Sequence, residues 1–90
     1  MKDPHAVIGA VLIEIARQHE LKAAGKFPWV CSDHADPRSG DVIREESRLV
    51  VLAEEFGEVA KAVCDGDEEH TRGELIQVAA VCLSWLGVVP

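Results

Sequence analysis

The last sixteen residues of the chain, 75–90, contain no charged side chain, although the 90 residues include 16 acidic and 9 basic ones. A segment without charges has no side that favours water, so it has to be buried within the fold or against another chain. A membrane-spanning helix needs about 20 apolar residues, and this segment is shorter and contains Gln77 and Ser84. We therefore expect a buried helix, enclosed by one subunit or shared between two, and no membrane insertion.

The net charge of −7 arises between residues 41 and 74 and makes the protein acidic. A nucleic-acid-binding domain needs a basic surface, so nucleic acid is not an expected partner. The length allows a single domain, 1–90, and an apolar content of 48% is too high for a disordered chain. Three cysteines cannot complete a disulfide framework, and the start shows no secretory signal pattern, which together indicate reduced thiols and a cytoplasmic protein.

Apolar residues recur at helical spacing along most of the chain, which predicts an all-α fold. The Asp3-Pro4 start and a glycine after the second helix, Gly66, are typical helix boundaries. The helices are expected at about 4–22, 41–64 and 68–87. The second helix should pack through one apolar face formed by Leu49, Leu52, Phe56, Val59 and Val63.

Residues 25–40 are predicted to form a loop, because glycine, proline and serine recur there at short intervals. A loop of this length is unusual in a compact domain and is often functional. It contains Phe27 and Trp29, which either close one end of the core or stack on a planar ligand such as a nucleotide base. The same loop has one cysteine and one histidine, which is too few for a zinc site.

Four oxygen-bearing side chains fall at matching spacings on the second and third helices. Glu55 and Glu58 lie one turn apart, and Glu74 and Gln77 repeat that spacing. A short connection makes these helices antiparallel neighbours, so the two pairs face each other. Three carboxylates and an amide oxygen suit Mg²⁺ or Mn²⁺. The alternative is that the first pair is a solvated acidic flank and that Glu74 completes a capping box with Thr71.

Two segments, Leu52–Ala62 and Glu74–Val81, resemble the MazG-like all-α nucleoside triphosphate pyrophosphohydrolases, especially small phage and bacterial members. The segments read L-A-E-E-F-G-E-V-A-K-A and E-L-I-Q-V-A-A-V, and the family shows E-x-x-E followed by E-x-x-D. A K-F-P-W stretch before the second helix is also similar, so the likeness runs from about Lys26 to Trp85. It implies that the three helices pair with a second subunit in a four-helix-bundle-type fold, as a homodimer or a dimer of dimers.

The resemblance implies a reaction in which a ribo- or deoxyribonucleoside triphosphate is cleaved to the monophosphate and pyrophosphate. It implies that Glu55, Glu58 and Glu74 are catalytic and bind Mg²⁺ or Mn²⁺ together with Gln77. Gln77 stands where the family has aspartate, so metal affinity should be lower. Substrate contacts are expected from three further residues, with the lysine on phosphate and the aromatic rings on the base: Lys61, Trp29 and Phe27.

Two alternatives remain open on the same scaffold. The first is a non-catalytic helical module that binds a partner or a nucleotide, which the replacement by Gln77 favours. The second is the phosphoribosyl-ATP pyrophosphohydrolase of histidine synthesis, which shares the fold, although the chain lacks other features expected of it. Arg48 is a further candidate for phosphate contact, but we expect it to be solvated.

Overall fold

The computed structural model describes residues 3–89, and within them the chain is an all-α globule of three helices. These are α1 (Pro4–Ala23), α2 (Glu45–Cys64) and α3 (Glu68–Trp85). The third helix packs against both others, whereas the backbones of α1 and α2 make no contact in this part of the chain. No helix formed by residues 3–89 is long and apolar enough to cross a membrane. All three cysteines are free.

The helix ends follow local signals in the sequence. Asp3 caps α1 by accepting a hydrogen bond from the backbone N of His5 at 3.0 Å. Each helix is followed by a glycine with positive φ, a conformation that glycine adopts with little strain and that lets the last carbonyls find backbone donors. These glycines are Gly25, Gly66 and Gly87. The predicted Asp3-Pro4 start and the Gly66 cap are thus confirmed.

The second helix begins at Glu45 and not at residue 41 as predicted. The residues before it are extended, because Ala35 and Val42 form an isolated antiparallel bridge. The backbone N of Ile43 donates to the carbonyl of His34 at 2.9 Å, and the Ile43 side chain is buried. This pairing prevents residues 41–44 from joining the helix. The third helix likewise ends at Trp85, before the predicted residue 87.

The apolar core lies between α1 and α3 and is small. Val11 and Ile15 pack there against Ala80, with Ile76, Ala79 and Leu83 around them. The Cα radius of gyration is 13.7 Å, whereas a compact chain of this length has a radius of about 12 Å. The single chain is therefore more open than a typical domain of its size.

The apolar face predicted for α2 is largely outside this core. Leu49, Phe56 and Val63 are 55%, 67% and 59% exposed. Leu52 and Val59 are only half-buried. These three exposed side chains therefore do not contribute to the core of the single chain. The helix instead turns the face with Arg48, Glu55 and Ala62 toward the rest of the molecule.

Candidate functional site

A cavity of about 290 Å³ lies where α1, the following loop, α2 and α3 meet. Phe27 and Trp29 from the loop line it together with Glu55 from α2 and Gln77 from α3. The volume is near the lower end of the range found for small-molecule sites, which combine apolar walls with a few polar groups. Four residues that the sequence marked as functional are thus brought to one cavity.

Glu55 and Glu74 each have an oxygen that is buried without a hydrogen-bond partner. Glu74 is 8% exposed, and its Oε1 lies 3.1 Å from Nε2 of His70, whereas its Oε2 is unpaired. Glu55 is half-buried, and its Oε2 is also unpaired. A buried carboxylate oxygen is costly unless a donor or a cation satisfies it. The two orphaned oxygens therefore mark a place where a positively charged partner would be bound favourably.

The pKa of Glu55 also indicates that a cation would bind here favourably. Burial raises the pKa of its carboxyl above the ordinary value for glutamate, and the negative charges of Glu74 and Glu14 raise it further. Glu58 and Glu54 contribute in the same direction. Acidic groups thus surround Glu55 on its own helix and on both other helices. A bound cation would relieve this repulsion and favour the ionised form.

The remaining predicted residues take different positions. The capping-box alternative for Glu74 does not hold, because α3 already begins at Glu68 and the Thr71 hydroxyl donates to the carbonyl of Asp67 at 2.8 Å. Glu58 is exposed on α2. Lys61 is also exposed, in the last turn of α2, and does not line the cavity.

A magnesium ion fits this arrangement only with help from other ligands. Among residues 3–89 there is no group of three or more His, Cys, Asp or Glu residues arranged to hold a metal ion. Mg²⁺, however, is usually bound by one or two carboxylates, and water and phosphate oxygens complete its coordination. The unpaired oxygens of Glu55 and Glu74 are suited to that kind of site. They do not form a cage that would hold a metal by protein ligands alone.

The first helix contributes polar residues to the cavity that the sequence did not single out. Arg17 and Gln18 line it. Arg17 donates from Nε and Nη2 to the two carboxylate oxygens of Glu14 at 2.7 and 2.8 Å, and Gln18 Nε2 donates to Oε2 at 3.1 Å. A Glu and an Arg three residues apart are common on exposed helix surfaces. Only the packing of α1 on α3 shows that this pair borders a cavity.

Arg48 anchors the loop that forms the aromatic wall. It is 7% exposed, so the expectation that it is solvated is wrong. Its guanidinium donates to the carbonyls of Cys31, Ile43 and Asp33 at 3.0, 2.9 and 2.6 Å. A fourth bond joins Nη1 to Oε1 of Glu45 at 2.8 Å. With these donors engaged, Arg48 holds the backbone next to Trp29 and is not placed to contact a phosphate.

Two further interactions fix the same loop. Lys22 Nζ lies 3.1 Å from both carboxylate oxygens of Asp33, and the backbone N of Val30 donates to one of them at 2.9 Å. Burial alone would raise the pKa of Asp33, but the hydrogen bonds from Val30 and Lys22 outweigh it and keep the pKa below its ordinary value.

Trp85 Nε1 donates to Oε2 of Glu45 at 2.8 Å, which ties the end of α3 to the start of α2.

The chemistry of the cavity has to be inferred from its own residues. Its features are an aromatic wall, two unpaired carboxylate oxygens near it, and one guanidinium at its edge. No protein-family model, no curated protein and no solved structure matches the chain significantly.

Proposed function

We propose that the protein is a Mg²⁺-dependent pyrophosphohydrolase of the MazG-like type, which converts a ribo- or deoxyribonucleoside triphosphate to the monophosphate and pyrophosphate. The observation that carries this proposal is the pair of unpaired oxygens on Glu55 and Glu74 close to an aromatic-walled cavity. A nucleotide suits such a site in two ways. Its planar base can stack on the aromatic wall, and the cation bound to its phosphate chain can satisfy the unpaired carboxylate oxygens. The sequence resemblance to the MazG-like enzymes supports the same assignment.

Trp29 and Phe27 are the residues that we assign to the base. Both line the cavity, and the half-buried ring of Trp29 offers the larger surface for stacking. Gln77 lies in the same lining, so its amide oxygen can take part in binding the cation without adding charge. Lys61, exposed in the last turn of α2 and outside the cavity lining, remains a candidate for phosphate contact.

We assign Glu55 and Glu74 to holding Mg²⁺. When bound, the ion neutralises phosphate charge and orients the phosphate chain for in-line attack by water. Glu58 lies one turn after Glu55 and is exposed, so its carboxylate can orient the attacking water and accept a proton from it.

We further propose that two copies of the chain associate through α2. Five residues of this helix, spaced alternately by four and three positions, are exposed in the single chain; we call them the α2 seam, and they are Leu49, Ala53, Phe56, Ala60 and Val63. This spacing is the pattern by which helices pack in coiled coils and four-helix bundles. A second copy covering the seam would supply the apolar contacts that the small core of one chain lacks.

The proposal is tested by measuring pyrophosphate release from a panel of ribo- and deoxyribonucleoside triphosphates with Mg²⁺ or Mn²⁺. We expect Glu55→Gln to lower kcat by about 100-fold or more, because the amide cannot supply charge to the cation or accept a proton. Glu46→Gln, an exposed carboxylate in the first turn of α2, is the matched control and should leave the rate unchanged. Absence of turnover with every triphosphate, or full activity in Glu55→Gln, would contradict the enzyme assignment.

The same substitution should change how stability depends on pH. Because the pKa of Glu55 is raised in the folded chain, the folded state binds this proton more tightly than the unfolded state. Its stabilising contribution is therefore complete below the ordinary pKa of glutamate and is lost as the pH rises through the raised value. In metal-free buffer, we expect the loss of unfolding free energy between acid and neutral pH to be smaller in Glu55→Gln than in the wild type. Urea unfolding at several pH values measures this. An equal dependence of the unfolding free energy on pH in the two proteins would show that burial and neighbouring charges do not raise the pKa of Glu55.

A non-catalytic nucleotide-binding module is the second candidate. It is favoured by Gln77 in place of a carboxylate, because an amide adds no charge to the cation site and cannot accept a proton from water. Saturable binding of a nucleotide with Mg²⁺, combined with no release of pyrophosphate, would identify this function.

A further inference from the structure

Arg17 has the geometry of a ligand-binding residue. It lines the cavity, and its side chain is 48% exposed, whereas that of its partner Glu14 is only 11% exposed. Glu14 thus holds one edge of the guanidinium from beneath through Nε and Nη2. Among residues 3–89, Nη1 of Arg17 has no hydrogen-bond partner, so this part of the guanidinium remains available to another acceptor.

Arg17 also lies near the unpaired carboxylate of Glu55. The hydrogen bond with Glu14 raises the pKa of Arg17, and the negative charges of Glu14 and Glu55 add to this effect. Of the residues that line this cavity, Arg17 is the one with a positive charge. An anion that entered together with a cation at Glu55 would therefore have Arg17 close by.

Two other arginines show what is particular to Arg17. Arg48 uses its donors on three backbone carbonyls and Glu45, and it is buried. Arg38 forms a two-bond pair with Asp36 through Nε and Nη2 at 3.2 and 3.0 Å, similar to the pair of Arg17 and Glu14. Arg38, however, is exposed and does not line this cavity. It is therefore a matched control for Arg17.

We propose that Arg17 is the anion-binding residue of the cavity and donates from Nη1 to a phosphate group of the ligand, with Glu14 as its positioning residue. The inference rests on the proposed function, since the phosphate chain of the nucleotide is the anion concerned. A planar guanidinium binds phosphate with directional, charge-assisted hydrogen bonds. Because Glu14 fixes the guanidinium before the ligand arrives, less side-chain entropy is lost on binding.

The test is a titration of the ¹⁵N-labelled full chain with inorganic pyrophosphate in the presence of Mg²⁺, observed by NMR of the arginine side-chain N–H groups. We expect the Arg17 signal to shift saturably and the Arg38 signal to stay unchanged. Arg17→Met should weaken pyrophosphate binding by about 10- to 100-fold, as expected for losing a charge-assisted hydrogen bond. The pyrophosphate affinity of Arg17→Lys should lie between those of Arg17→Met and the wild type. Arg38→Met should bind pyrophosphate as tightly as the wild type.

Glu14→Gln separates positioning from simple charge. It removes a negative charge near the anion, so charge alone predicts tighter binding, whereas loss of positioning predicts binding that is several-fold weaker. Tighter binding in Glu14→Gln would overturn the positioning role. Absence of a saturable Arg17 shift, equal binding in Arg17→Met, or an equal loss in Arg38→Met would overturn the anion site.

These results are distinguishable from failure of the proposed function. A protein that hydrolyses triphosphates but binds pyrophosphate equally well in Arg17→Met remains an enzyme whose phosphate contact lies elsewhere. A protein that hydrolyses no triphosphate but shows the Arg17-dependent shift has the anion site without the catalytic activity.

Discussion

Arg48→Met is expected to lower the free energy of unfolding by about 3–5 kcal/mol, because it removes a buried guanidinium that donates to three backbone carbonyls. The substitution leaves the carbonyls of Cys31, Ile43 and Asp33 without their donor, and unsatisfied buried groups of this kind cost about 1–3 kcal/mol each. Methionine occupies much of the volume of the aliphatic part of arginine, so the lost unfolding free energy comes mainly from the missing hydrogen bonds. Urea unfolding followed by far-UV circular dichroism measures the change.

Arg44→Met is the control for this experiment. Arg44 precedes α2 and is exposed, and its side chain makes no capping hydrogen bond. Its replacement should change stability by no more than about 0.5 kcal/mol. If Arg48→Met lowered the free energy of unfolding no more than Arg44→Met does, the buried guanidinium would not be needed to hold the loop in place. A second readout is the combined fluorescence of Trp29 and Trp85, in which the contribution of Trp29 should move toward that of a solvated indole when the loop is released.

Phe56→Asp is expected to weaken self-association by about 100-fold or more and to produce monomers at micromolar concentration. Phe56 is 67% exposed in the single chain and lies at the centre of the α2 seam. Burying a phenylalanine contributes about 1.5–3 kcal/mol, and a symmetric dimer interface contains the residue twice. An aspartate there would also place two like charges near each other in an apolar contact. Sedimentation velocity over a concentration series gives the oligomeric state directly.

Ile13→Asp provides the comparison, since Ile13 is 72% exposed on α1, outside the α2 seam. It should leave association through α2 intact. A wild-type protein that is monomeric at micromolar concentration would contradict the proposed dimer. Equal dissociation by both substitutions would show that the seam is not the specific contact surface.

The helix boundaries that depend on local signals could be predicted, and the one that depends on distant contacts could not. The Asp3-Pro4 start and Gly66 act within one turn of their helices, so the sequence displays them directly. The start of α2 is set by the bridge between Ala35 and Val42. It is also set by Arg48, which binds carbonyls far back in the chain. No pattern in residues 41–44 alone reveals either interaction.

The candidate site was predictable in its carboxylates and aromatics but not in its first-helix residues. Helical spacing and the family resemblance together selected Glu55, Glu74 and Gln77, although they also selected Glu58, which is exposed. Turn composition drew attention to the loop with Trp29. Spacing fixes which residues share a face, but it does not fix which face of the helix turns toward the rest of its own chain. For that reason the exposure of Leu49, Phe56 and Val63 in the single chain could not be predicted. Arg17 was passed over because its spacing from its acidic partner is ordinary for a solvated helix.

The position of α3 between the other two helices has a dynamic consequence. Because the backbone of α1 contacts α3 but not α2, we expect α1 to open as a unit before the α2–α3 hairpin unfolds, although this opening separates the apolar core. Such partial opening needs less free energy than global unfolding. The cavity would then lose Arg17 and Gln18 while keeping Glu55 and Gln77. We therefore expect a ligand that bridges Arg17 and Glu55 to slow the local opening of α1 and to prolong the lifetime of the assembled cavity.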